Sequence, residues 1–279
     1  MKIAIIGVGL IGGSMAMALR QKMPGVHLIG VDASDANCDT ALQLGLVNSI
    51  CNLEEAVQQS ELVILAVPVD ASLNLLPQIL KIVTTQVVMD VGSTKDAIAA
   101  LVAGLPKAGR FVATHPMWGT EYSGPAAAVK GAFLGKAVVI CNRQTADADA
   151  LAAVENIYRL LGMHILYMDA PSHDVHAAYI SHISHITSFA LANTVLEKER
   201  QDDTIFELAS GGFESTVRLA KSSAAMWVPI FMQNKENVLD VLNEHISQLK
   251  KFKSCLEKEN ETYLAELIEH ANSIRRIIK

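Results

Sequence analysis

Between Ala113 and Gly124 the chain reads ATHPMWGTEYSG, which sets His115 at the end of a run of strand-forming residues with Pro116 directly behind it. A neutral imidazole is the side chain best suited to take up a proton near neutral pH. Proline at the next position lacks an amide hydrogen and restricts the backbone that carries the ring. Taken alone, a histidine at a strand end fits a structural role as readily as a catalytic one. Farther along, GGFESTVRLAKSSAAMW holds Arg218 between the Gly211-Gly212 pair and Trp227, and a guanidinium can grip a carboxylate through two parallel hydrogen bonds. Upstream, DVGSTK offers Ser93, whose hydroxyl can serve a ligand, cap a helix, or do both. Four histidines, His173, His176, His182 and His185, fall within thirteen residues. On a straight helix the first pair points away from the second, and with no H-E-x-x-H or convergent carboxylates no metal site is expected.

These groups need a scaffold, and the first half of the chain supplies one. KIAIIGVGLIGGSMAMALRQ is a β-branched strand, then Gly7, Gly9 and Gly12 in G-x-G-x-x-G spacing around Leu10 and Ile11, then a helix. In that context the glycines predict a dinucleotide site: a tight turn at Gly7, close approach of a pyrophosphate at Gly9, and helix-strand packing at Gly12. A glycine turn in a purely structural α/β protein is the alternative. The next strand, VHLIGVD, ends in Asp32, twenty residues after Gly12. An acid there can accept ribose hydroxyls and repels a 2′-phosphate, and Ala33 and Ser34 follow without an arginine, so NAD is expected rather than NADP.

Further apolar strands begin near Glu61, Gln86, Arg110 and Lys136, and a last one, HILYMDA, near His164. Their near-continuous hydrophobicity predicts a mostly parallel α/β sheet of Rossmann type covered on both faces. Ligands bind beyond the carboxyl ends of such strands, where Val67-Pro68, Ser93 and His115 fall. His115 is thereby expected at the mouth of the crevice that holds the nicotinamide.

The pattern then turns helical, which predicts a boundary near Ala170: residues 1–169 as the NAD-binding domain and 170–279 as an all-α domain. Ser172 to Lys198 reads as one long helix capped by Ser172 and apolar around much of its circumference, hence buried. Ser181, His185 and Ser188 share a narrow polar stripe on it. The tail carries Leu239, Leu242, Ile246, Leu249 and Leu256, then Leu264, Leu267, Ala271 and Ile274, two amphipathic stripes suited to a dimer core. No regulatory domain is expected after them.

Half the 279 residues are apolar, 19% are charged and the formal charge is −6. That balance predicts a packed core and disfavours a nucleic-acid surface, leaving small-molecule chemistry. The scattered Cys38, Cys51, Cys141 and Cys255 suit reduced thiols of a cytoplasmic protein. Neither a signal peptide before a strand that starts at residue 2 nor a membrane span is expected.

Taken together, GVGLIGGS, DVGSTK, THPMWGTEYSG, SHISH (Ser181 to His185) and GGFESTVRLAKSSAAMW resemble the prephenate/arogenate dehydrogenase family of tyrosine biosynthesis over essentially the whole chain. The resemblance implies a Rossmann-type domain, a helical dimerisation domain and a site between them. It implies that hydride leaves C4 of prephenate for NAD while the 4-hydroxyl gives up its proton and the ring carboxylate departs as CO₂. His115 matches the catalytic histidine, Ser93 a serine beside it, and Arg218 the substrate-binding arginine; Ser181, His185, Thr120, Glu121, Gly211, Gly212 and Trp227 fit the rest of the pocket. Ser215 departs from the family by standing where some members carry an aspartate. Loss of an acid there favours prephenate over arogenate, whose ammonium would want a carboxylate, although Glu121 is another candidate for that task. A β-hydroxyacid dehydrogenase, which uses a lysine on the interdomain helix, is disfavoured because Ser172 to Glu197 contains none. An NAD-binding sensor without turnover is the alternative of a different class.

Overall fold

The computed structural model describes residues 1–199 and 205–277. Strands and helices alternate through the first half: β1 (Lys2–Ile6), α1 (Leu10–Lys22), β2 (His27–Val31), α2 (Asp35–Gln43), β3 (Ser49–Ile50), α3 (Leu53–Gln59), β4 (Leu62–Leu65), α4 (Val69–Ile82), β5 (Val87–Asp90), α5 (Asp96–Ala103), β6 (Phe111–Pro116), β7 (Ala137–Cys141), α6 (Ala148–Leu160) and β8 (His164–Met168). Helices follow: α7 (Ala170–Ala177), α8 (Ile183–Glu199), α9 (Gly211–Val217), α10 (Ala224–Gln233), α11 (Lys235–Glu257) and α12 (Glu261–Asn272). Among the described residues no strand follows β8.

The eight strands form one sheet in the order β3-β2-β1-β4-β5-β6-β7-β8, parallel throughout except where β7 runs antiparallel to β6. Successive strand residues feed opposite layers. Ile3, Ile5, Leu28, Ile64 and Met89 pack with Met15, Leu19 and Tyr158 on one face. Ala4, Ile6, Ile29, Val63 and Leu65 pack with Leu76, Ile79 and Ile98 on the other. Both faces being covered, the interior strands carry apolar residues at almost every position. The two-residue β3 is the one strand the sequence pattern did not predict: Ser49-Ile50 is too short to show alternation, and only pairing with Ile29 and Gly30 defines it.

Contacts group Met1–Asn234 into one compact unit and Lys235–Lys279 into a second. The expected long helix from Ser172 is built differently in three respects. Its cap is Asp169, whose side chain accepts from the Ser172 amide at 2.8 Å, so the helix begins at Ala170. It is not one continuous α-helix, because Ala178–His182 forms a π turn. Nor is it buried all round, since Val175, Tyr179, Ile180 and Leu196 are exposed in the single chain. The apolar residues that predicted burial cover only part of the circumference against the sheet domain. In the second unit, Leu239, Ile246, Leu249 and Leu256 of α11 are likewise exposed.

Candidate functional site

The glycine loop has the shape a dinucleotide requires. Gly7 adopts φ +94°, and a Cβ there would lie 2.4 Å from the Ala66 carbonyl oxygen, with Val67 also against it. A Cβ on Gly12 would meet the Gly7 carbonyl at 1.9 Å, whereas one on Gly9 would point into open space. Gly7 and Gly12 hold the turn closed while Gly9 leaves its outer side clear. Helix α1, led by Leu10 and Ile11, follows with no acidic residue in its first turn, so its N-terminal amides and dipole are available to an anion. Asp32 stands just beyond β2 with its carboxylate accepting from the amides of Val8 (3.0 Å) and Ser34 (3.0 Å) and from Asn37 Nδ2 (3.1 Å). All three partners are neutral, so the negative charge is positioned without being cancelled. Val67 and Pro68 close the same end of the sheet beyond β4, Pro68 as the N-cap of α4. The cradle fits a pyrophosphate and an adenosine ribose.

His115 lies at the carboxyl end of β6 in a chain of hydrogen bonds. Its Nδ1 is 2.8 Å from Nε2 of His173, and His173 Nδ1 is 2.8 Å from Oδ1 of Asp174. Asp174 in turn accepts from the amides of Lys95 (2.7 Å, Oδ1) and Asp96 (2.9 Å, Oδ2), the first amides of α5. It therefore supplies from α7 the cap that α5 lacks, since Lys95 at the N-cap provides no side-chain bond. Ser93, half-buried two residues earlier, is not the cap of α5.

Beneath this chain Lys95 is fully buried and pairs with Asp90 Oδ2, while Asp90 Oδ1 accepts from the Thr114 amide at 3.0 Å. Thr114 also bonds the Asp90 carbonyl and the hydroxyl of buried Tyr158. Burial, then the neighbouring His173, Lys95 and His182, hold His115 well below the ordinary imidazole range. It is a neutral ring at neutral pH.

The π turn places His182 beside this group, contrary to the expectation that His173 and His182 face apart. One extra residue in a turn rotates everything after it by about 100°. Burial lowers His182 to about 4, with Asp174 opposing and His173 and His185 adding to the fall. Asn234 donates to the Asp174 carbonyl at 2.7 Å and lies 3.2 Å from His182 Nδ1. Among the described residues no group of three or more His, Cys, Asp or Glu could hold a metal.

A second cluster gathers on the helical side. Arg218 Nη1 donates to Glu121 Oε2 at 2.7 Å, spanning 97 residues of sequence, and the arginine side chain is half-exposed. His185 stacks on Trp227 with ring centres 3.5 Å apart. Its Nδ1 donates to the Ser181 carbonyl at 3.1 Å. Burial lowers the His185 pKa, with Arg218 contributing in the same direction and the Ser181 bond opposing. Trp227 is buried against Phe231 and Ile230, and its indole N–H has no hydrogen-bond partner among the described residues. Thr120 and Glu121 belong to the loop after β6, which is anchored by Trp118 against Phe133 and by the Val129 amide on Ser14 of α1. Gly211 and Gly212 are exposed at the start of α9, where the Gly212 carbonyl accepts from Ser215 and Thr216. Ser215 is thus engaged within its own helix, and its uncharged hydroxyl cannot take an aspartate's part in an ion pair.

His173, Asp174, Lys95 and Asp90 were missed as site residues. The dipeptide His173-Asp174 was visible, but nothing in it reveals that Asp174 reaches the amides of residues 78 and 79 positions away.

Two families match the chain: prephenate dehydrogenase, nucleotide-binding domain, over residues 15–167, and prephenate dehydrogenase, dimerization domain, over residues 169–270. The chain is 32% identical to a prephenate dehydrogenase of Bacillus subtilis over 98% of its own length and 75% of the relative's. It is 31% identical to a cyclohexadienyl dehydrogenase of Zymomonas mobilis over 99% and 96%. The crystal structure of the Aquifex aeolicus prephenate dehydrogenase with hydroxyphenyl propionate and NAD+ superposes with a TM-score of 0.88 at 29% identity, covering 100% of this chain and 98% of that one.

Proposed function

Since the chain belongs to the prephenate dehydrogenase family, we propose how its residues divide the work of its reaction, the NAD-dependent oxidative decarboxylation of prephenate to 4-hydroxyphenylpyruvate. Residues 1–169 carry the cofactor, and residues 170–279 carry substrate contacts and a homodimer interface. NAD, when bound, supplies the hydride acceptor. The glycine loop of Gly7, Gly9, Leu10, Ile11 and Gly12 holds its pyrophosphate, Asp32 its ribose, and Val67, Pro68 and Ser93 line the way to the nicotinamide.

His115 is the proton acceptor. Its neutral ring takes the hydrogen bond of the 4-hydroxyl as hydride leaves C4. When the bond from the ring to its carboxylate breaks, the electron pair enters the ring and CO₂ departs. The proton then returns from the imidazole to the phenol oxygen, a return favoured by the lowered proton affinity of His115. Ser93 positions the hydroxyl beside it.

Arg218 anchors a substrate carboxylate. Its bond to Glu121 uses Nη1, leaving other guanidinium N–H groups for the ligand. Ser181, His185, Thr120, Gly211 and Gly212 complete the pocket. The buried indole N–H of Trp227, costing about 1–3 kcal/mol while unpaired, is a donor for a substrate oxygen.

The observation that carries this reading is the desolvated, hydrogen-bonded His115 at the carboxyl edge of a nucleotide-binding sheet. Glu121 being engaged by Arg218 favours prephenate over arogenate, because its charge is already committed to a cation. The exposed apolar residues of α11 and the match to a dimerization domain support the homodimer. Four free cysteines suit a cytoplasmic enzyme. NADH formation by the purified chain, followed with prephenate and arogenate in parallel, is the direct test. Turnover is expected with prephenate and NAD, and higher catalytic efficiency with arogenate would reverse the substrate assignment.

A further inference from the structure

We propose that Asp174 and His173 are positioning residues that fix the tautomer of His115, directing its bare nitrogen, Nε2, toward the substrate. The inference rests on the reading of His115 as the proton acceptor. It begins from the far end of the chain of bonds. An ionised carboxylate only accepts hydrogen bonds, and Asp174 is held by the backbone amides of Lys95 and Asp96, which only donate. Those amides open α5, so the positive end of its dipole also faces the carboxylate.

His173 Nδ1, 2.8 Å from Asp174 Oδ1, must therefore carry the hydrogen. A neutral imidazole has one N–H and one lone pair, which makes His173 Nε2 an acceptor. His115 Nδ1 lies 2.8 Å from that lone pair and must donate. The remaining nitrogen of His115, Nε2, is then the one with an open lone pair. The opposite polarity would put the hydrogen on His173 Nε2 and leave Nδ1 bare, its lone pair facing a carboxylate oxygen in a buried place.

Burial gives the arrangement its force. His173 and Asp174 are each 2% exposed, so water cannot compensate a reversed bond, and a lost partner is felt in full. The chain also ties α7 to the loop before α5 and to β6. The base, the residue that orients it and the helix terminus that fixes the carboxylate come from three parts of the sequence. The same logic of a carboxylate setting one imidazole's tautomer is familiar from catalytic triads and metal sites. Here it passes through a second ring.

The test has a spectroscopic and a kinetic arm. Long-range proton–nitrogen correlation spectra of the full-length wild-type protein at neutral pH, with His115 assigned by loss of its signal in His115→Asn, report which ring nitrogen bears hydrogen. The expected result is hydrogen on Nδ1 and a bare Nε2; hydrogen on Nε2 overturns the proposal. Kinetically, His173→Phe should lower kcat by about 10- to 100-fold while KM for prephenate and affinity for NAD stay within about twofold. His173→Gln, whose amide oxygen can accept where Nε2 did, should recover most of the loss. A kcat within twofold of wild type in the Phe variant, or equal losses in both variants, refutes the positioning role. Wild-type-like turnover in His115→Asn would instead remove His115 as the base, an outcome the tautomer measurement neither needs nor disguises.

Discussion

The two halves of the site are built on opposite terms. Around His115 the polar groups are buried and interlocked: Lys95, Asp90, Thr114, His173 and Asp174 have specified partners and almost no exposure. Around Arg218 a half-exposed guanidinium holds Glu121 from a loop. A proton acceptor must keep one ring orientation and one tautomer, which a water-free network enforces. A substrate anchor must take up a ligand that arrives from water, which requires solvent access to the guanidinium groups that Glu121 leaves open. In the proposed division of work, rigidity is concentrated at the proton acceptor and accessibility at the anchor.

Breaking the buried half should have the largest effects. His115→Asn is expected to lower kcat by about 10² to 10⁴-fold with NAD affinity unchanged, measured by steady-state rates and dinucleotide titration. A folded variant with near-normal turnover would show that another group accepts the proton. Lys95→Ala strips the partner from buried Asp90 and should destabilise the fold by about 3–5 kcal/mol, read from denaturant midpoints. A loss below about 1 kcal/mol would mean that the pair is as solvated as a surface bridge and that the contrast between the halves is false.

The exposed half should respond more mildly and in a different parameter. Arg218→Ala is expected to raise KM for prephenate by about 10- to 100-fold, with kcat changing less. That is smaller than for a fully shielded ion pair, because the guanidinium is half-exposed. Arg218→Lys should recover part of the loss, since an ammonium keeps the charge and not the fork. Unaltered KM in the alanine variant would move the anchor to another cation, with Lys221 in the same neighbourhood the next to examine.

The subtlest expectation concerns pH. With its pKa depressed, His115 stays neutral below pH 6.5, so the acid limb of kcat/KM should lie under that value. Buried His182, lowered to about 4, contributes stability that is present above its unfolded pKa near 6.5 and lost as pH falls through its folded value. The unfolding free energy should therefore decline as pH falls from about 6.5 to about 4, by at most about 1.4 kcal/mol per pH unit for each such proton, with thermal midpoints falling alongside. An acid limb at or above pH 6.5 would indicate that His115 is hydrated.

Much of the scaffold was legible because it is local. The glycine spacing, Asp32 at the end of its strand, the apolar strands and the amphipathic tail helices all express constraints between residues close in sequence. The cap at Asp169 escaped because Ser172 is an equally good capping residue, and choosing between them takes the start of the helix. The π turn escaped because i,i+5 bonding leaves no periodic mark over one turn. Trp227, open in sequence to a role in the core or at the pocket, is buried, so it is a core residue, and it stacks on His185, which belongs to the proposed pocket.

By itself the sequence determined the fold class and the glycine spacing of a nucleotide-binding strand and helix, and it singled out residues with the chemistry to accept a proton and grip a carboxylate, since side-chain chemistry and short-range spacing are written in it. Only the tertiary structure decided which groups act on one another. Asp174 reaches across 78 residues to the start of α5, Glu121 across 97 to Arg218, and His173 across 58 to His115. Hydrogen bonds fall off within a few tenths of an ångström and depend on angle. Partners that distant in sequence are therefore set by packing of sheet against helix, which no local pattern encodes.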